Sequence, residues 1–155
     1  MTPNAFLEAD QRTILVGALN GVLANTVLLA VKTQNFHWNV TGLEFAALHR
    51  FFGELYEELF DAIDDIAERI RALDGVPVGS LKQFLEHATL PETTHVPKAP
   101  EMLKILTADT IKIAEIVRGV LHVAAGYQDE VTADLLTERL AAHDKAAWML
   151  ASHIK

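Results

Sequence analysis

None of the 155 residues is cysteine, so the chain can form no disulfide and offers no soft thiolate to a metal ion. Stability must come from a buried core. A chain of this length can bury about 70% of its unfolded surface, enough for one domain, expected to span residues 1–155. Proline is scarce, and four of the five prolines fall between residues 76 and 100, which leaves the rest free for long helices. There is no internal repeat, no low-complexity tract and no basic leader of the kind a signal peptide has. Basic residues are outnumbered, 13 Lys and Arg against 21 Asp and Glu, a formal charge of −8. That balance argues against a general polyanion binder and for a surface that attracts cations. The expected compartment is the cytoplasm, which the lack of cysteine fits.

Ile14 to Val31 is a run of eighteen residues without a charge and contains Gly17-x-x-x-Gly21, a pattern found between membrane helices. Asn20, Asn25 and Thr26 interrupt it, and Glu8 and Asp10 precede it, so no membrane span is expected. A helix apolar on most sides is one buried on most sides, by its own bundle and by a neighbouring subunit.

The periodicity predicts four long helices. The first runs from about Asn4 or Ala5 to Trp38, and the second from about Leu43 to Leu73, with Thr41-Gly42 as the break. So short a turn implies an antiparallel hairpin. Gly75 is expected to supply the left-handed cap of the second helix, and Pro77 to prevent continuation. The third opens at Pro100-Glu101 and reaches Ala125 or Gly126, and the fourth begins near Asp129. Between the second and third lies a 25-residue connection, Val76 to Pro100, with a short helix expected over Ser80–Ala88 because Ser80-x-x-Gln83 has the form of a capping box. The fold class is therefore all-α, a four-helix bundle with one long crossover, the ferritin-like connection.

Chemistry is concentrated between residues 37 and 69. His37-Trp38 is followed by His49, then by Asp64 and Glu68 one turn apart, and Arg69 follows directly. Two imidazoles and two carboxylates suit iron, manganese or zinc. On the second helix Phe45, Leu48, Phe52, Leu55, Leu59, Ile63, Ile66, Ile70 and Leu73 form the core stripe, with Gly53 as the one breaker. Glu57, Asp61, Asp64 and Glu68 form a second stripe. That stripe is either a solvated face or a cation-binding one, and the absence of lysine among four like charges favours the second. His37 and His49 flank the turn and meet at similar heights on facing helices. His49 and Asp64, however, are fifteen residues apart on one helix, roughly 22 Å at the helical rise. One ion cannot touch both, so the missing ligands must come from a second copy packed about a two-fold axis.

The run Lys32-Thr33-Gln34-Asn35-Phe36-His37-Trp38-Asn39-Val40-Thr41-Gly42, with Phe45, His49, Phe52, Tyr56, Asp64 and Ala67-Glu68-Arg69-Ile70, resembles the Dps proteins, the dodecameric mini-ferritins of bacteria and archaea. The resemblance implies a ferroxidase centre of His37, His49, Asp64 and Glu68 between two-fold-related subunits, with Trp38 and Asp61 close by. It also implies a homo-oligomer, a dodecamer, that oxidises Fe(II) with hydrogen peroxide in preference to oxygen and stores the ferric mineral. Zinc or manganese could compete for the site. Trp38 would intercept stray oxidising equivalents, although packing explains a buried aromatic equally well.

On the last helix Glu130, Asp134 and Glu138 recur at i, i+4 and i+8. Acids near a helix start favour its dipole. The resemblance gives another account, in which Glu130 and Asp134, and with less support Glu138, line an ion-entry pore at a three-fold axis. Glu92-x-x-His95 spells a di-iron motif, but Pro91 and Pro97 bracket it in the crossover, and it is read as a loop. The rival function is DNA compaction at the nucleoid. Members that bind DNA do so through lysine-rich tails, whereas residues 1–12 hold Glu8, Asp10 and only Arg12, so DNA binding is expected to be weak.

Overall fold

The computed structural model describes residues 6–155 as α1 (Ala9–Asn39), α2 (Phe45–Ala72), α3 (Leu81–His87), α4 (Ala99–Gly126) and α5 (Glu130–Ser152). Four long helices and one short helix in the crossover give the expected all-α bundle. The expected start of the first helix at Asn4 or Ala5 lies outside the described residues. Within them Phe6 to Glu8 are not helical, and the Glu8 N–H donates to Gln11 Oε1 at 3.0 Å to open α1. At α3 the capping box forms as read, with the Gln83 N–H donating to Ser80 Oγ at 3.2 Å and the Ser80 N–H to Gln83 Oε1 at 3.2 Å.

The end of α2 differs from the sequence reading. Asp74, not Gly75, takes the left-handed conformation, with φ 61°. The Asp74 N–H donates to Arg71 O and the Gly75 N–H to Ile70 O, both at 3.0 Å, which satisfies two orphan carbonyls. Aspartate tolerates this region better than most residues because its short side chain bonds locally. Gly75 is needed for another reason: a Cβ there would lie 2.5 Å from Val16 Cγ2. Gln128 (φ 58°) closes α4 with the same pair of bonds, from Gln128 N–H to Ala125 O and from Asp129 N–H to Ala124 O.

The polar residues that interrupt the apolar run of α1 hold the crossover. Asn20 Oδ1 accepts from the Val78 N–H at 2.9 Å, and Asn25 Oδ1 accepts from the N–H groups of Thr89 and Leu90 at 2.9 Å each. Two turns beyond Asn25, Lys32 Nζ donates to Pro91 O at 2.5 Å and pairs with Asp109 on α4 at 2.6 Å, both residues buried. The loop backbone has no ladder of its own, so these side chains supply the partners that its buried groups require.

The hairpin of α1 and α2 packs on that of α4 and α5 around Leu19, Leu23, Phe36, Phe52, Ile66, Met102, Leu106 and Ile113, all almost fully buried. The core stripe of α2 holds except at its first member: Phe45 is 45% exposed and lies against His49, with ring centroids 5.2 Å apart. Between α2 and α5, Arg69 makes a two-pronged pair with Asp129 at 2.9 and 3.0 Å, and Arg139 pairs with Glu58.

His143 of α5 is buried, 2% exposed. Burial, and then the Arg139 charge, lower its pKa from 6.5 to about 3. The unfolded chain therefore binds a proton near pH 6.5 that the folded chain refuses until about pH 3. The contribution to stability is complete above pH 6.5 and is lost progressively as pH falls toward 3. The slope from this group should reach at most about 1.4 kcal/mol per pH unit. Melting temperatures measured across that range should fall more steeply for the native protein than for His143→Gln, and parallel curves would show that His143 is not responsible.

Candidate metal centre

The last turn of α1 and the first turns of α2 meet across a tight connection in which Gly42 has φ 113° and the Phe45 N–H donates to Gly42 O at 3.1 Å. This hairpin sets His37 and His49 face to face, with ring centroids 3.8 Å apart and planes 17° from parallel. Each ring also bonds to the other residue's backbone. His37 Nδ1 donates to His49 O at 2.5 Å, and His49 Nδ1 donates to His37 O at 2.8 Å. A carbonyl can only accept, so each ring carries a proton on Nδ1, and its neutral form presents the Nε2 lone pair to an ion. This is how proteins orient metal-binding imidazoles.

The stacking decides how the pair can act. A ring nitrogen directs its lone pair within the ring plane, so an ion held in the plane of one ring lies outside that of the other. The two histidines as they stand present two coordination points.

Gly53 explains the close fit. It is buried, and α2 passes through it without a break. A Cβ at this position would lie 3.2 Å from both Cε1 and Nδ1 of His37, so the ring rests on bare backbone. The sequence signal was present, a glycine one turn after His49 inside a strong helical pattern, but such a glycine reads as a weakness unless a close approach is already suspected. Tyr56 completes the surroundings with its ring edge-on to His37, centroids 5.1 Å apart. Trp38, expected as a buried aromatic, is 64% exposed within the chain.

The carboxylates lie elsewhere. Asp61, Asp64 and Glu68 are exposed on the unbroken helix α2, and the fifteen residues from His49 to Asp64 span roughly 22 Å. Among the described residues, no three His, Asp or Glu side chains come together to hold a metal ion. Glu68 instead shares a shallow groove with Asp65, Asp134 and Glu138, a juxtaposition of α2 and α5 that spacing alone did not reveal. Arg69, which also lines this groove, grips Asp129, which in turn caps α5 by accepting from the Thr132 N–H at 3.1 Å. Glu130, the first residue of α5, is exposed. The Glu92 and His95 pair is exposed in the non-helical crossover, as read.

Comparison with known proteins places this geometry. The ferritin-like domain family matches residues 16–155. A DNA protection during starvation protein of Brevibacillus brevis is 39% identical over 96% of this chain and 100% of its own. The chain belongs to the Dps family. A low temperature-induced protein of Nostoc sp. is 42% identical over 98% of this chain and 86% of its own. The Dps crystal structure from Vibrio cholerae, described as a member of a broad superfamily of ferritin-like diiron-carboxylate proteins, superposes with a TM-score of 0.94 at 32% identity, covering 100% of this chain and 98% of that one. The Dps fold thus accounts for the long crossover and for the four main helices of this chain.

Gly53→Ala should leave the bundle intact, since alanine favours a helix, while displacing the His37 ring by a few tenths of an ångström. Losing the reciprocal bonds should weaken binding of Co(II), titrated calorimetrically into the assembled protein, by roughly tenfold or more. An unchanged isotherm would show that the ring needs no bare backbone beneath it.

Proposed function

We propose that this Dps protein takes up Fe(II), oxidises it to Fe(III) at centres shared between two-fold-related chains, and stores the ferric product in a hollow homo-oligomeric shell, a dodecamer. Iron storage and protection against oxidative stress are the functions that membership of the family supports. One observation carries the finer reading. Two histidines that donate from Nδ1 are locked together where α1 meets the start of an unbroken helix, α2, on which Asp64 lies roughly 22 Å from His49, so a second chain is needed to complete this ligand set.

In this reading His37 and His49 hold Fe(II), while Asp64 and Glu68 of the two-fold mate supply hard oxygens that favour the ferric product. Two coordination points suit a two-electron oxidant. Two Fe(II) and one hydrogen peroxide, with two protons, give two Fe(III) and two waters, and no hydroxyl radical is released. Oxygen is the alternative oxidant, and zinc or manganese would compete as borderline or hard ions. Glu130, Asp134 and Glu138 would line the entry path, and the groove that Asp134 and Glu138 share with Glu68 brings that path close to a proposed ligand on the same chain. The net charge of −8, multiplied in a shell, supports cation uptake over DNA compaction. The cytoplasm is the compartment in which such a store would serve.

Complementary variants test the sharing. His37→Ala with His49→Ala, and separately Asp64→Ala with Glu68→Ala, should each have little ferroxidase activity alone. Unfolded, mixed equally and reassembled, they should recover roughly a quarter of the sites, because each half-site has an even chance of being intact. Activity that stays at the level of the separate variants, in shells that contain both chains, would overturn the shared centre.

Entry is tested separately. Glu130→Gln with Asp134→Asn should slow Fe(II) uptake severalfold while leaving peroxide oxidation of already loaded Fe(II) intact. Equal uptake rates would remove these acids from the path.

A further inference from the structure

All four long helices meet around a small, partly open cavity of about 20 Å³ whose lining includes Thr33, Glu58, Thr110, Ala146 and His143. Among the described residues two buried polar atoms of α5 lack a protein partner, one on a residue that lines this cavity and one on a residue a turn away. His143 Nε2 is one. The other is Nε of Arg139, a residue 6% exposed and one turn earlier on α5, whose terminal nitrogens are both spent on the Glu58 carboxylate. Buried polar atoms are rarely left unpaired, because the desolvation they suffer is then uncompensated.

The two atoms are complementary. Arginine stays protonated in proteins, so its Nε–H can only donate. A neutral imidazole carrying its proton on Nδ1 presents Nε2 as an acceptor. We propose that this cavity is a binding site for one neutral hydrogen-bonding molecule, a water, which accepts from Arg139 Nε–H and donates to His143 Nε2. The volume suffices, since one water needs about 10–15 Å³ of such space. It is too small for an organic ligand.

A divalent cation is the other occupant to weigh, because the middle of a four-helix bundle is where many ferritin-like proteins keep metals. The chemistry here rejects it. Glu58 is the carboxylate lining the cavity, and it is already engaged by a guanidinium whose charge would repel the ion. The charged groups facing His143 are Arg139 from its own helix and Glu58 from α2; Thr33 of α1 and Thr110 of α4 are neutral. The low pKa of His143 agrees with a neutral imidazole that accepts from water at physiological pH. The molecule completes a polar chain, Glu58, Arg139, water, His143, that links α2 to α5.

A crystal structure of the assembled protein, grown with and without Zn(II) and at a resolution that orders solvent, tests the proposal. The expected result is one peak within about 2.7–3.2 Å of both Arg139 Nε and His143 Nε2, with no anomalous zinc signal in either crystal. Absence of a peak, a peak touching only one of the two atoms, or an anomalous zinc peak would each overturn it. His143→Leu removes the acceptor, and its crystal should lose the peak. Persistence of the peak in that variant would show that His143 does not hold the molecule.

Discussion

An α-helix advances about 1.5 Å per residue and cannot be folded back on itself without a break, and the length of α2 is the constraint on which the rest depends. Histidines at one end of such a rod and carboxylates toward the other cannot serve one ion within a chain. The rod continues unbroken through Gly53, its weakest point by propensity, where the His37 ring rests on the bare backbone. The same glycine therefore keeps the two ligand pairs apart and lets the histidine pair close.

A second constraint is the disposal of backbone polarity in the crossover. Residues between α2 and α4 pass over an apolar helix and have no sheet or helix of their own apart from α3. Asn20, Asn25 and Lys32 stand on α1 as three fixed partners for that segment. Lys32 and Asp109 are both desolvated, which is costly, but their mutual attraction and the Pro91 carbonyl offset the cost, and removal of either partner alone would strand a buried charge.

The sequence made the elements legible wherever one period dominated. The four long helices, the capping box at Ser80 and the polar breaks in the apolar run all have local causes, and local causes leave a signature in neighbouring residues. The histidine pair was also readable, because a short turn fixes the heights of residues on either side. What escaped was set by packing between distant segments. Gly53 looked like a breaker because its benefit lies in His37, sixteen residues earlier on another helix. Gly75 looked like the cap because glycine usually is one, whereas its real constraint is Val16 on α1. Glu58 lies beside the acidic stripe in sequence, yet it pairs with the buried Arg139, eighty-one positions away. Phe45 shows the same limit, since the first member of the core stripe is exposed against expectation.

Arg69 follows Glu68 in the chain, and Asp129 precedes Glu130. The two-pronged pair between Arg69 and Asp129 thus ties together backbones one peptide away from an acid on α2 and an acid on α5. Asp129 is fully buried and caps its helix, so the joint has little play. It acts as a rigid strut: a push on the mouth of α5 is delivered to the end of α2 with little lost to bending. The spacing of the two backbones beside these acids is consequently set within the subunit itself.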